Sequence, residues 1–174
     1  MSKRSAGLLM YRHKEQSLEV FLVHPGGPFW AKKDRGAWSI PKGEYGENED
    51  PLVAANREFE EETGFTASGN YIELGVIKQA GGKVVPAWAF EGDCDPDSLT
   101  SNHCQLEWPP RSGRLIEFPE VDRGAWFPII EARGRILTAQ EPFLDMLIRQ
   151  LRSVGPEWGQ WPATYNSHDI PQPS

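Results

Sequence analysis

Apolar and polar positions change period several times along the chain, and each change marks an element. Residues 4–11, RSAGLLMY, are a short apolar run, and residues 18–24, LEVFLVH, alternate as a half-buried strand does. They predict a hairpin joined by the polar stretch 12–17. Residues 25–36, PGGPFWAKKDRG, are rich in glycine, proline and charge and predict a loop. Residues 71–79 and 82–91 read as paired strands around Gly81-Gly82, with Pro86 at an edge or a bulge. Residues 92–113 are polar and without period, which predicts a long loop. Strand-like patterning returns over 114–128, a short helix follows over 129–136, and 139–152 places Phe143, Leu144, Leu147, Ile148 and Leu151 at helical spacing. This predicts an amphipathic closing helix, a domain over 1–152 and a C-terminal tail over 153–174 that carries Trp158 and Trp161.

The strongest helical signal lies after residue 50. Asp50 suits an N-cap, Pro51 the first turn, and Gly64 a C-terminal stop, which predicts about thirteen residues of helix. At 100° per residue, Leu52, Ala55, Phe59 and Thr63 form one stripe suited to packing on a sheet. Glu58, Glu61 and Glu62 form a second stripe at i, i+3 and i+4, so three carboxylates converge on one patch. Like charges at this spacing destabilise a helix by a few tenths of a kcal/mol per pair. Arg57, one turn before Glu61, relieves part of that. Glu60 points about 160° from Glu58 and Glu62 and is expected to be dispensable. The patch is either a solvated acidic face or a seat for a hard cation, Mg²⁺ foremost and Mn²⁺ as the alternative.

Composition narrows the partners. With 174 residues the chain is long enough for one domain with its own core. The net charge of −7 argues against an extended nucleic-acid surface or an anionic membrane. Cys94 and Cys104 either pair or stay as free thiols. No signal peptide or spanning stretch is read, so a cytoplasmic protein is expected. An EF-hand loop pattern, which a structural calcium domain would need, is missing.

The stretch 43–65 decides between the two readings of the acidic patch. Gly43, Glu49, Arg57, Glu58, Phe59, Glu61, Glu62, Gly64 and Phe65 stand at the spacing of the Nudix hydrolase signature, and every specified position agrees. The chain therefore resembles that family over this box and, more loosely, to about residue 152. The lead-in Trp38-Ser39-Ile40-Pro41-Lys42-Gly43 resembles the branch that handles dinucleoside polyphosphates, RNA 5′ triphosphate ends and diphosphoinositol phosphates.

The resemblance implies an α+β fold, an α/β/α sandwich with a mixed sheet between helices. It also implies metal-dependent hydrolysis of a phosphoanhydride bond in a nucleoside diphosphate linked to another moiety. Dinucleoside polyphosphates come first as substrates and nucleoside triphosphates next. An RNA 5′-pyrophosphohydrolase and a non-catalytic nucleotide-binding module are the alternatives. Glu58 and Glu62 are the expected main metal ligands, Glu61 a bridging ligand or the general base, and Gly43 a carbonyl ligand. Glu120, in the Phe-Pro-Glu-Val-Asp run, is the expected further ligand or alternative base, with Glu117 behind it. Lys42 and Trp38 are the expected substrate contacts. Phe29 and Trp30 either cover the core edge or help wall a base. Arg57 is read as structural, tying the glutamates to Glu49.

Overall fold

The structure is a computed structural model that describes residues 4–153. Strands β1 (Ser5–Lys14) and β2 (Ser17–Pro25) form the predicted hairpin, but the connection is two residues rather than six. Glu15 and Gln16 both have positive φ, 51° and 65°, the geometry of a turn whose twist matches its strands. The polar residues before the turn therefore continue the ladder, as Arg12 opposite Glu19 shows.

The main sheet runs β4 (Ile72–Lys78), β5 (Val84–Glu91), β1, β2, β8 (Val121–Pro128), with the short β3 (Lys42–Glu44) also on β1. β1 pairs parallel with β5 and antiparallel with β2 and β3, so the sheet is mixed. Period-2 alternation feeds two cores. Leu9, Tyr11, Leu18, Val20 and Leu22 face one side, and Ala6, Leu8, Met10, Phe21 and Val23 face the other. The first core is closed by α2 (Ile129–Arg135) and α3 (Glu141–Ser153), which buries all five apolar residues named above. The second is closed by α1 (Pro51–Thr63) through Ala54, Ala55 and Phe59. The result is the expected α/β/α sandwich.

Three expectations are corrected. The stretch 92–113 is not all loop: β6 (His103–Glu107) pairs antiparallel with β7 (Leu115–Pro119) in a separate two-stranded hairpin. The strand-like run 114–128 is thus two strands, β7 and β8, broken at Glu120. Pro86 lies in an interior strand, opposite Val76 of β4. It is tolerated because the ladder with β1 starts only at Ala87, after an isolated bridge at Val84. The tail from 154 on, with its two tryptophans, lies outside the described residues.

The site is positioned by a split in the sheet. β1 and β2 pair over their ends near the turn, then part. Residues 39–44 fill the gap: Val23 and Ser39 exchange two backbone bonds of 2.9 Å, and the Leu8 N–H donates to the Pro41 carbonyl at 3.1 Å. The lead-in is thereby carried across the sheet to the start of β3, beneath α1.

Candidate active site

Helix α1 forms for the local reasons its sequence shows. The Asp50 carboxylate accepts from the Val53 N–H, Pro51 opens the first turn, and Gly64 ends the helix with φ 78° while its N–H donates to the Glu60 carbonyl at 2.7 Å. Its buried stripe holds Phe59 and Thr63 on the sheet, and the neighbouring stripe carries Glu58, Glu61 and Glu62. Gly43 of β3 lies directly under Glu58. A Cβ at position 43 would overlap the Glu58 carboxylate, so only glycine allows this approach.

Arg57 ties the cluster together. Its Nε and Nη2 donate to the two Glu49 oxygens at 3.0 Å each, and its Nη1 donates to Glu58 Oε1 at 2.9 Å and Glu61 Oε1 at 3.2 Å. These bonds, Glu49 first, hold the guanidinium above its ordinary range. The structural role expected for Arg57 is what its contacts show.

The other carboxylates are held out of water. Burial pushes Glu62 up to about 8, against a lowering effect from the Lys42 N–H that donates to its Oε2 at 3.1 Å. Burial also raises Glu58, which is 8% exposed, and Glu120. Glu120 and Glu61 are close enough for their charges to repel, as are Glu58 and Glu62. Desolvation rather than crowding is the larger cause in each case. Lys42 is pushed down, also by burial first and by the charge of Lys83 second.

Glu120 reaches this patch through main-chain bonds. The Asn102 N–H donates to the Glu61 carbonyl at 2.8 Å, the Glu120 N–H donates to the Asn102 carbonyl at 2.8 Å, and the Gly26 N–H donates to the Glu120 carbonyl at 2.9 Å. The foot of the β6–β7 hairpin thus clips Glu120 to the end of α1. Glu117 does not join. It faces outward and pairs with His103 at 3.1 Å.

A hollow of about 210 Å³ opens beside these acids, lined among others by Trp30, Ser39, Lys42, Glu62 and Glu120. The aromatic ring on it is Trp30, not the expected Trp38. Trp38 is 4% exposed, packs edge-on against Phe127 and His24, and donates its Nε1–H to Asp34 at 2.8 Å. It is a core residue. Phe29 packs edge-on against Trp30, and the Lys33 ammonium lies over its ring.

Two supports were not foreseen. Buried Gln140 accepts from the Ile40 N–H at 2.9 Å and donates to Ser39 Oγ at 2.9 Å, pinning the lead-in. Fully buried His24 joins Asp122 through Nδ1 (2.9 Å) and the Lys33 carbonyl through Nε2 (2.6 Å), tying the Trp30 loop to β8. Neither pairing has a local sequence signal, since the partners are 98 and 100 residues apart or held by a loop. Cys94 and Cys104 are free.

The donor set fits a hard divalent cation by its chemistry: several carboxylates, three of them desolvated, within range of one another. Among the described residues, no three His, Cys, Asp or Glu side chains are gathered tightly enough to hold an ion as they stand. The reason is visible in the bonds. Arg57 bridges Glu58 and Glu61, and Glu62 is turned to the Lys42 N–H.

The NUDIX domain family model matches residues 1–147. The chain belongs to the Nudix family. The matched residues include the whole box, Gly43 to Phe65. A Caenorhabditis elegans Ap4A hydrolase, solved as a binary complex, is 21% identical, with a TM-score of 0.58, over 87% of this chain and 98% of that one. The NUDIX domain of Shewanella oneidensis NrtR, solved with ADP ribose, is 17% identical over 88% of each chain with a TM-score of 0.57. A MutT/nudix family protein from Enterococcus faecalis is 19% identical with a TM-score of 0.51 over 74% of this chain, which spans 44% of its length. No match was found among curated proteins. At these identities the structural likeness shows the Nudix fold alone.

Proposed function

We propose that this Nudix protein hydrolyses a phosphoanhydride bond in a nucleoside diphosphate linked to another moiety, with a dinucleoside polyphosphate first and a nucleoside triphosphate second, in the cytoplasm. The observation that carries the reading is the gathering of Glu58, Glu61, Glu62 and Glu120, of which Glu62 and Glu120 line a hollow together with Trp30 and the half-buried Lys42. Mg²⁺, or Mn²⁺ in its place, would be held by the Gly43 carbonyl and these glutamates, and would supply neutralisation of phosphate oxygens and a more acidic water.

The chain's own residues do the rest. Lys42 offers an ammonium to a phosphate oxygen. Trp30 offers a ring face to a base. In hydrolysis a water oxygen bonds to phosphorus, the bridging P–O bond breaks, and the water's proton passes to a carboxylate. Glu61 is the proposed acceptor and Glu120 the alternative.

A nucleotide-binding module without turnover is the second reading. The observation in its favour is that Arg57 already bridges Glu58 and Glu61. The test is a hydrolysis panel at fixed Mg²⁺ with products identified: diadenosine tetraphosphate, nucleoside triphosphates, ADP-ribose and 5′-triphosphorylated RNA. Cleavage at one phosphoanhydride supports the first reading, and an RNA product assigns the RNA 5′-pyrophosphohydrolase alternative. Binding without cleavage across the panel supports the module.

A further inference from the structure

Trp30 and Glu120 line the same hollow but come from different segments, the loop 25–36 and the break between β7 and β8. The two segments are fastened to each other at both ends of the Trp30 turn. At the near end the Gly26 N–H donates to the Glu120 carbonyl at 2.9 Å. A Cβ at Gly26 would overlap the Pro119 carbonyl, and one at Gly27 would lie 2.7 Å from the Phe118 ring. Gly27 also has φ 91°, so two glycines let this backbone lie against residues 118–120.

At the far end the fastening is fully buried His24. Its Nδ1 is 2.9 Å from the Asp122 carboxylate and its Nε2 is 2.6 Å from the Lys33 carbonyl oxygen. Asp122 can turn to it because the β2–β8 register slips: His24 is opposite Arg123 and Pro25 opposite Val121, which leaves Asp122 as the extra residue of a bulge. Between the two fastenings the turn is itself closed. The Lys33 N–H donates to the Trp30 carbonyl at 2.9 Å, and the Lys33 ammonium lies over the Phe29 and Trp30 rings. For Trp30 to shift relative to Glu120, the Gly26 bond must break, Gly27 must lift from Phe118, or His24 must part from a partner. The acids, in contrast, have to move to take a cation, since among the described residues no three are gathered tightly enough to hold one as they stand.

We propose that Phe118 and His24 are positioning residues that join Trp30 and Glu120 into one body, so that a cation drawing Glu120 inward also sets the place of the Trp30 ring. Metal and base then favour each other's binding through the protein, without touching. The proposal rests on the metal seat of the reading above and names the residues that carry its effect to the base-binding wall.

The test follows amide hydrogen exchange by NMR on the full chain, with and without Mg²⁺ and with no nucleotide present. Two amides report: that of Gly26, bonded to Glu120, and that of Lys33, bonded to Trp30. In the unaltered protein Mg²⁺ is expected to slow both by about five-fold or more, the low end of a coupling between sites. In Phe118→Ala and in His24→Leu the slowing at Gly26 is expected to remain and most of the slowing at Lys33 to be lost. The Phe59 amide, buried in α1, is the control for a retained fold. Phe118 belongs to neither core, so Phe118→Ala decides the matter if His24→Leu does not fold. Slowing at Gly26 alone in the unaltered protein, or slowing at Lys33 that keeps its full size in Phe118→Ala, overturns the proposal. Slowing at neither amide removes Glu120 from the metal seat and the proposal with it, while the hydrolysis panel decides the enzyme reading separately.

Discussion

Gly43 stands under the Glu58 carboxylate with no room for a methyl group between them. Two parts of the Nudix box that are fifteen residues apart in sequence are thus in contact across β3 and α1. Gly43→Ala is expected to push Glu58 from its place while leaving the β3 bonds to β1 intact. A displacement of about 1 Å at a reacting centre costs on the order of 100-fold in rate. Steady-state kinetics with circular dichroism check this: a fall in kcat with a native spectrum is expected.

Glu62 gives the metal-free protein a pH dependence of known sign. Burial raises its folded-state value to about 8 from an ordinary 4.5. Between those values the folded chain keeps a proton that the unfolded chain has released, so this group's contribution falls as pH rises through the window. Glu62→Gln removes that loss and can still accept from the Lys42 N–H. In EDTA, the variant's Tm is expected to pull ahead of the unaltered protein's from pH 5 to 8 and to level off above. Each kcal/mol appears as about 2–4 °C at this size.

Trp30 of the 25–36 loop and Trp38 of the lead-in are expected to separate binding from stability. Trp38→Ala opens a cavity among Phe127, His24 and their neighbours and costs about 3–5 kcal/mol. Trp30→Ala removes a stacking face worth about 1–3 kcal/mol to a bound base. Urea unfolding and KM measured on both variants are expected to show a lowered midpoint for Trp38→Ala and a KM raised about ten-fold for Trp30→Ala.

Gln140 holds the lead-in from the far side of the sheet. Gln140→Leu leaves the Ile40 N–H unpaired in a buried place, at about 1–3 kcal/mol. Because Ile40 is two residues from Lys42, KM for a polyphosphate is expected to rise with the fall in Tm.

What could be read from the sequence was what local chemistry decides. The Asp50 cap, Pro51, the Gly64 stop and the glutamate stripe act within a few residues of each other, and α1 is where they predict it. The five apolar residues of α3 share one face for the same reason. What could not be read depends on distant pairing. Whether Trp30 or Trp38 meets the hollow is set by the Val23–Ser39 bridge, which a local pattern does not encode. Strand β6 escaped because its residues are largely exposed, with Leu106 on the surface, so burial leaves no alternation to find. The acids were legible as a cluster, while the desolvation of Glu62 came only with the pocket around it.

The most direct test of the account follows diadenosine tetraphosphate turnover in Mg²⁺ for the unaltered protein and Glu61→Gln, with EDTA as a control. The account predicts cleavage at a phosphoanhydride by the unaltered protein, none in EDTA, and a kcat lowered about 100-fold or more in Glu61→Gln, the scale of a lost general base, with the native fold retained. Turnover by Glu61→Gln at the unaltered rate would contradict it.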